Sequence, residues 1–165
     1  MQTGNGRTGE LYAYMHDGIT PDVVTTAKGL GGGLPIGACI LGEKVQNGLG
    51  FGDHGSTYGG NPVACAGAYN VLSRIDDAML QAVKEKGDYI KKTFTGAKGV
   101  KSVSGLGLMV GIETEKPAAE IVKACIAQGV LCLTAKNKVR LLPALNIPME
   151  QLKKAAEIIL AACAQ

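Results

Sequence analysis

The chain has 165 residues, 46% of them hydrophobic and 19% charged, with a formal net charge of +3. That balance fits one or two small globular domains and excludes a disordered tail or a coiled coil. Its 17 Lys and Arg are spread without a basic cluster, which argues against nucleic acid as a partner, and no apolar run approaches the roughly 18 residues that a bilayer span needs.

The N-terminal stretch MQTGNGRTGE has no apolar segment of the kind that directs secretion, so the expected location is cytoplasmic. Cys39, Cys65, Cys125, Cys132 and Cys163 show no CxxC spacing and mostly sit among Ala, Ile and Leu, which reads as five free core thiols with no metal role. With 24 glycines and no Trp, backbone geometry rather than large side chains shapes the first part of the chain.

Residues 1 to about 62 hold most of the glycines and no convincing amphipathic helix. Within them Asp22 to Ala27 and Leu34 to Leu41 read as short strands of a buried sheet, covered on both faces. Asn61 and Pro62 then form an N-cap and first helical position, opening a helix to about Arg74. Asp76 caps a second helix through about Phe94, and Val100 to Thr114 is strand-like but broken by Gly105, Gly107 and Gly111. Pro117 to Gln128 reads as a helix ended by Gly129, followed by strands at Val130 to Thr134 and Lys138 to Leu142 and a closing helix from Pro148 to about Ala162.

Three segments are candidates for chemistry. Lys28-Gly-Leu-Gly-Gly-Gly-Leu34 fails as a phosphate loop, because a dinucleotide fingerprint needs a helix after its glycines and a P-loop needs Gly-Lys-Ser/Thr. Lys28 itself stands at a strand end with glycines that leave room beside its amine. There it is either a surface lysine or a partly desolvated amine able to attack a carbonyl. Gly55-Ser56-Thr57-Tyr58-Gly59-Gly60-Asn61 sets two hydroxyls and small-residue amides before a helix start, as an anion site or as an ordinary capped loop. Arg140 is a charge within an apolar strand. An internal acid is the first partner to expect, and a substrate carboxylate held by the guanidinium fork is the other. His16 and His54 are too isolated to form a metal site or a triad.

Three stretches taken in order, Gln2 to Gly9 (QTGNGRTG), Thr20 to Gly37 (TPDVVTTAKGLGGGLPIG) and His54 to Pro62 (HGSTYGGNP), resemble a class III pyridoxal-phosphate aminotransferase, and the resemblance continues through Arg140-Leu-Leu-Pro143. It implies an α/β, fold-type I PLP-dependent transferase. Residues 1–74 would be a remnant of the large PLP-binding domain with its mainly parallel sheet, and residues 75–165 the small C-terminal α/β domain.

The resemblance also implies roles. Lys28 would carry pyridoxal 5'-phosphate and move the proton between substrate Cα and the cofactor. Gln2 would lie beside the cofactor's 3′ oxygen. Thr57, with Ser56 next to it, would reach the cofactor phosphate of the neighbouring subunit in a homodimer. Arg140 would grip the α-carboxylate of the amino-acid donor or of 2-oxoglutarate.

Against that pattern, Met1 stands directly before Gln2, where the family has an Asp-Glu-x-Gln element whose Asp pairs with the ring nitrogen and keeps it protonated. The expectation is therefore the C-terminal part of an aminotransferase, inactive alone. Other class III ω-aminotransferases, acting on ornithine, succinylornithine or 4-aminobutyrate, fit the same motifs. A non-catalytic module that self-associates through an uncovered apolar face is the alternative of another class.

Overall fold

The computed structural model describes residues 1–164. The chain's regular elements begin where the sequence places its caps. The Asn61 side chain accepts from the Ala64 amide at 2.9 Å and opens α1 (Pro62–Leu72). That of Asp76 accepts from Met79 N at 2.8 Å and opens α2 (Asp77–Phe94). Each bond satisfies one of the amide donors that a helix start leaves without an internal partner.

α2 buries Val83, Gly87, Ile90 and Phe94, a spacing that lines one helix face. It packs on an antiparallel sheet of β3 (Val100–Leu106), β4 (Met109–Thr114), β5 (Leu133–Ala135) and β6 (Lys138–Leu141), in the order β3-β4-β6-β5. α3 (Ala118–Ala127) and α4 (Met149–Ala164) complete the helical layer, with Ile121, Cys125, Leu152, Ala156 and Ile159 buried against it. In the sheet, Val110, Ile112, Val139 and Leu141 point into this core, and the residues between them alternate to the other face. Gly105 pairs with Val110 inside the β3–β4 ladder and Gly107 forms the turn between the two strands, both at positive φ, so neither breaks a strand.

The first part of the chain differs from expectation. β1 (Val23–Thr26) and β2 (Ala38–Leu41) are shorter than read from the sequence and pair antiparallel, so both sheets among the described residues are antiparallel. The parallel arrangement is absent here because a parallel return needs a crossover of about a dozen residues or more, usually a helix. Residues 27–37 supply only a 3₁₀ turn (Lys28–Gly31) and glycines. Nor are these strands covered on both faces: Val23 is 48% exposed and Ile40 46%. Apolar content marked them as buried, but the described residues place no second layer on them.

The cysteines divide as well. Cys125, Cys132 and Cys163 are buried core thiols as expected, whereas Cys39 on β2 and Cys65 on α1 are exposed, each on an element face that nothing among the described residues covers.

The N-terminal segment is joined to the core by close backbone approach. Leu108 N donates to Arg7 O at 3.0 Å, and the Arg7 guanidinium donates to the carbonyls of Leu108 and Pro143. Lys84 on α2 holds Glu10 at 2.7 Å. Lys86, on the same helix, donates to Leu145 O at 2.9 Å.

Candidate functional site

Lys28 follows the buried Thr26 and the extended Ala27, and opens the 3₁₀ turn with a left-handed backbone of φ +58. Its side chain is exposed, the surface alternative of the two that the sequence left open, and the glycines after it leave it facing an open cleft. That cleft, of about 860 Å³, is lined by Gln2, Asn5, Arg7, Lys28, Arg74 and Arg140 among others, with no Asp or Glu in its wall. Its size falls in the range of small-molecule sites, roughly 300–1,000 Å³, and its charge suits an anionic ligand.

Arg140 is explained by the strand period. Val139 and Leu141 face the helical core, so the residue between them turns to the opposite sheet face, where Gly111 of β4 is its cross-strand partner. The guanidinium is half-buried, and its Nε is buried without a hydrogen-bond partner. The internal ion pair expected from the sequence does not form among the described residues, whose ion pairs are Lys44 with Asp22 and Lys84 with Glu10. An unpartnered guanidinium N–H at a cleft wall is a donor in want of an acceptor.

Ser56 and Thr57 lie on an exposed loop and do not line the cleft. Two of the amides considered there as anion donors are engaged locally: Gly59 N donates to Ser56 O and Asn61 N to Tyr58 O, each at 3.3 Å. The structure therefore brings together Gln2, Lys28 and Arg140, and leaves Ser56 and Thr57 apart. His16 Nε2 lies 3.1 Å from Thr8 O, a local contact, and His54 sits on an exposed loop.

Two residues of the site were passed over in the sequence. Arg7 lines the cleft and donates to the carbonyls of Leu108 and Pro143. Asn5, buried with φ +55, donates through Nδ2 to Ala27 O at 3.1 Å and accepts from the Thr26 hydroxyl at 3.4 Å. The available signal was an Asn between two glycines, since Asn is the residue other than Gly that best tolerates a left-handed backbone.

The residues present fit an aldehyde-bearing, anionic cofactor in part. An exposed amine and a neighbouring amide share one cleft, and a buried orphan donor of Arg140 stands ready for a carboxylate. The phosphate-binding hydroxyls are not in that cleft.

A sequence model of the family Aminotransferase class-III matches residues 1–163. The acetylornithine aminotransferase of Haemophilus ducreyi is 49% identical over 161 residues, covering 96% of this chain and 41% of that protein. Among solved structures, N-acetylornithine aminotransferase of Stenotrophomonas maltophilia matches with a TM-score of 0.86 at 34% identity, over 99% of this chain and 45% of that one. Ornithine delta-aminotransferase of Plasmodium falciparum matches with a TM-score of 0.86 at 35% identity, over 98% and 45%. The chain thus spans about two fifths of the length of the curated relatives it matches.

Proposed function

The chain belongs to the class III aminotransferase family, and from that premise we propose that it is the C-terminal part of a pyridoxal-phosphate-dependent acetylornithine transaminase serving arginine biosynthesis in the cytoplasm. In this reading residues 1–74 belong to the large cofactor domain and residues 75–165 form the small domain. The observation that carries it is the shared cleft: Lys28, Gln2 and Arg140 line one cavity free of acidic side chains.

Bound pyridoxal phosphate supplies an aldehyde for amines and a ring that takes up the electron pair left at substrate Cα. Lys28 would hold that aldehyde through Nζ, and its amine, once free, would take the proton from substrate Cα and return it to the cofactor. Arg140 would orient the amino acid or 2-oxoglutarate by donating from its fork to the α-carboxylate, and its buried Nε has no competing acceptor among the described residues. Gln2, in the same cleft, would hold the cofactor at its 3′ oxygen. Ser56 and Thr57 serve the phosphate of the neighbouring subunit in a homodimer, and their exposure outside the Lys28 cleft supports that assignment.

The donor is read as N-acetylornithine because curated relatives of that name are 49% and 44% identical to this chain; solved N-acetylornithine and ornithine enzymes, at 34% and 35%, do not separate the two donors. The test is a chimera in which this chain replaces the matching segment of the Haemophilus ducreyi relative. Comparing kcat/KM for N-acetylornithine, ornithine, succinylornithine and 4-aminobutyrate, with 2-oxoglutarate as acceptor, should rank N-acetylornithine first. Preference for another donor replaces the substrate assignment, and robust transamination by the 165-residue chain alone contradicts its role as an inactive part.

A second reading, a self-associating module without catalysis, draws on the exposed apolar side chains Val23, Ile40, Val63 and Tyr69 of β1, β2 and α1. A monodisperse monomer at high concentration by light scattering removes it.

A further inference from the structure

We propose that Asn5 is the positioning residue for Lys28: its side-chain amide clamps the backbone that turns the lysine into the cleft. The inference rests on the reading that Lys28 receives the cofactor.

Lysine rarely adopts a positive φ, yet Lys28 does so at +58 immediately after an extended Ala27 at φ −170. Something outside the local chain must hold that turn. Within it, the Ala27 carbonyl accepts from Leu30 N at 3.3 Å. The second donor comes from far along the sequence: Asn5 Nδ2 reaches the same carbonyl at 3.1 Å. The Asn5 Oδ1 in turn accepts from the Thr26 hydroxyl at 3.4 Å, and both side chains are buried, so water does not compete for them. One amide therefore engages both residues that precede Lys28.

Asn5 also belongs to the segment that carries Gln2, and Gln2, Asn5 and Lys28 line the same cleft. The clamp fixes the lysine relative to the segment that faces the cofactor ring. Asn is suited to the post because its own backbone stands at φ +55, which most residues with a Cβ resist.

Two substitutions separate the clamp from backbone strain. Asn5→Gly keeps the freedom for positive φ and removes the amide. Asn5→Asp keeps the shape and the acceptor for Thr26, but turns a carboxylate oxygen toward the Ala27 carbonyl. Each chain is incubated with pyridoxal 5'-phosphate and reduced with borohydride. The aldehyde condenses with Nζ, releasing water, and hydride adds to the C=N carbon, leaving a stable secondary amine for peptide mapping.

The clamp predicts that labelling of Lys28, relative to the exposed Lys136 and Lys153, falls at least fivefold in both variants while far-ultraviolet circular dichroism is unchanged. An unchanged ratio in both overturns it. If the unsubstituted chain shows no preference for Lys28, the cofactor reading fails on its own. The clamp is then decided by hydrogen exchange of the 27–30 amides without cofactor, where faster exchange in both variants supports it and unchanged exchange overturns it.

Discussion

Gly87 of α2 lies against the turn at Gly107, so close that a Cβ on Gly87 would stand 2.5 Å from the Gly107 carbonyl oxygen. Gly107 in turn sits at φ +51, where a Cβ would meet Arg7 O at 2.7 Å. Helix, hairpin and N-terminal segment meet at two residues without side chains. In an exposed helix interior Gly→Ala gains up to about 1 kcal/mol from propensity. At Gly87 the steric term should win, so Gly87→Ala is expected to destabilise the chain by about 1–3 kcal/mol in urea unfolding.

The cysteines should sort by burial in a thiol-modification time course. Burial in the core pushes the Cys125 thiol up to about 12, and raises Cys132 and Cys163 in the same direction. Thiolate is the reactive form, so these three should stay unmodified by a thiol reagent at mildly alkaline pH while Cys39 and Cys65 react. Adding denaturant should expose all five.

The Lys84 bond to Glu10 holds that carboxyl below its ordinary value of 4.5. A depressed folded value means that the pair's stabilisation is present above 4.5 and is lost as pH falls through the lower folded value. The difference in thermal midpoint between the unsubstituted chain and Lys84→Met should therefore be constant near neutrality and close in acid, as scanning calorimetry across pH would record.

Arg140→Lys in the chimera keeps a positive charge but loses the planar fork. Losing one charge-assisted bond of about 2 kcal/mol corresponds to roughly a 30-fold rise in KM for both donor and 2-oxoglutarate. Because both substrates present the same α-carboxylate, a rise for one alone would place Arg140 elsewhere.

Local rules made much of this fold legible. Asn61 and Asp76 cap where a short polar residue precedes an apolar period, and β4 and β6 alternate as half-covered strands do. β1 and β2 were misread because an apolar run is the same whether its cover comes from this chain or from outside it. Arg140 was first assigned an internal partner because its strand was read as apolar throughout, whereas the period of two carries it to the open face. Lys28 stands out at its glycine-flanked strand end and takes its role from the motif resemblance, which alone points to Gln2. Asn5 was not, since its role depends on a hydrogen bond spanning 22 residues that no local pattern announces.

The most direct measurement is a titration of the unsubstituted chain and Lys28→Ala with pyridoxal 5'-phosphate, followed by visible absorbance, borohydride reduction and peptide mass mapping. The reading of this cleft predicts one saturable adduct, located on Lys28 and lost in Lys28→Ala. Adducts scattered over exposed lysines, alike in both chains, would contradict it.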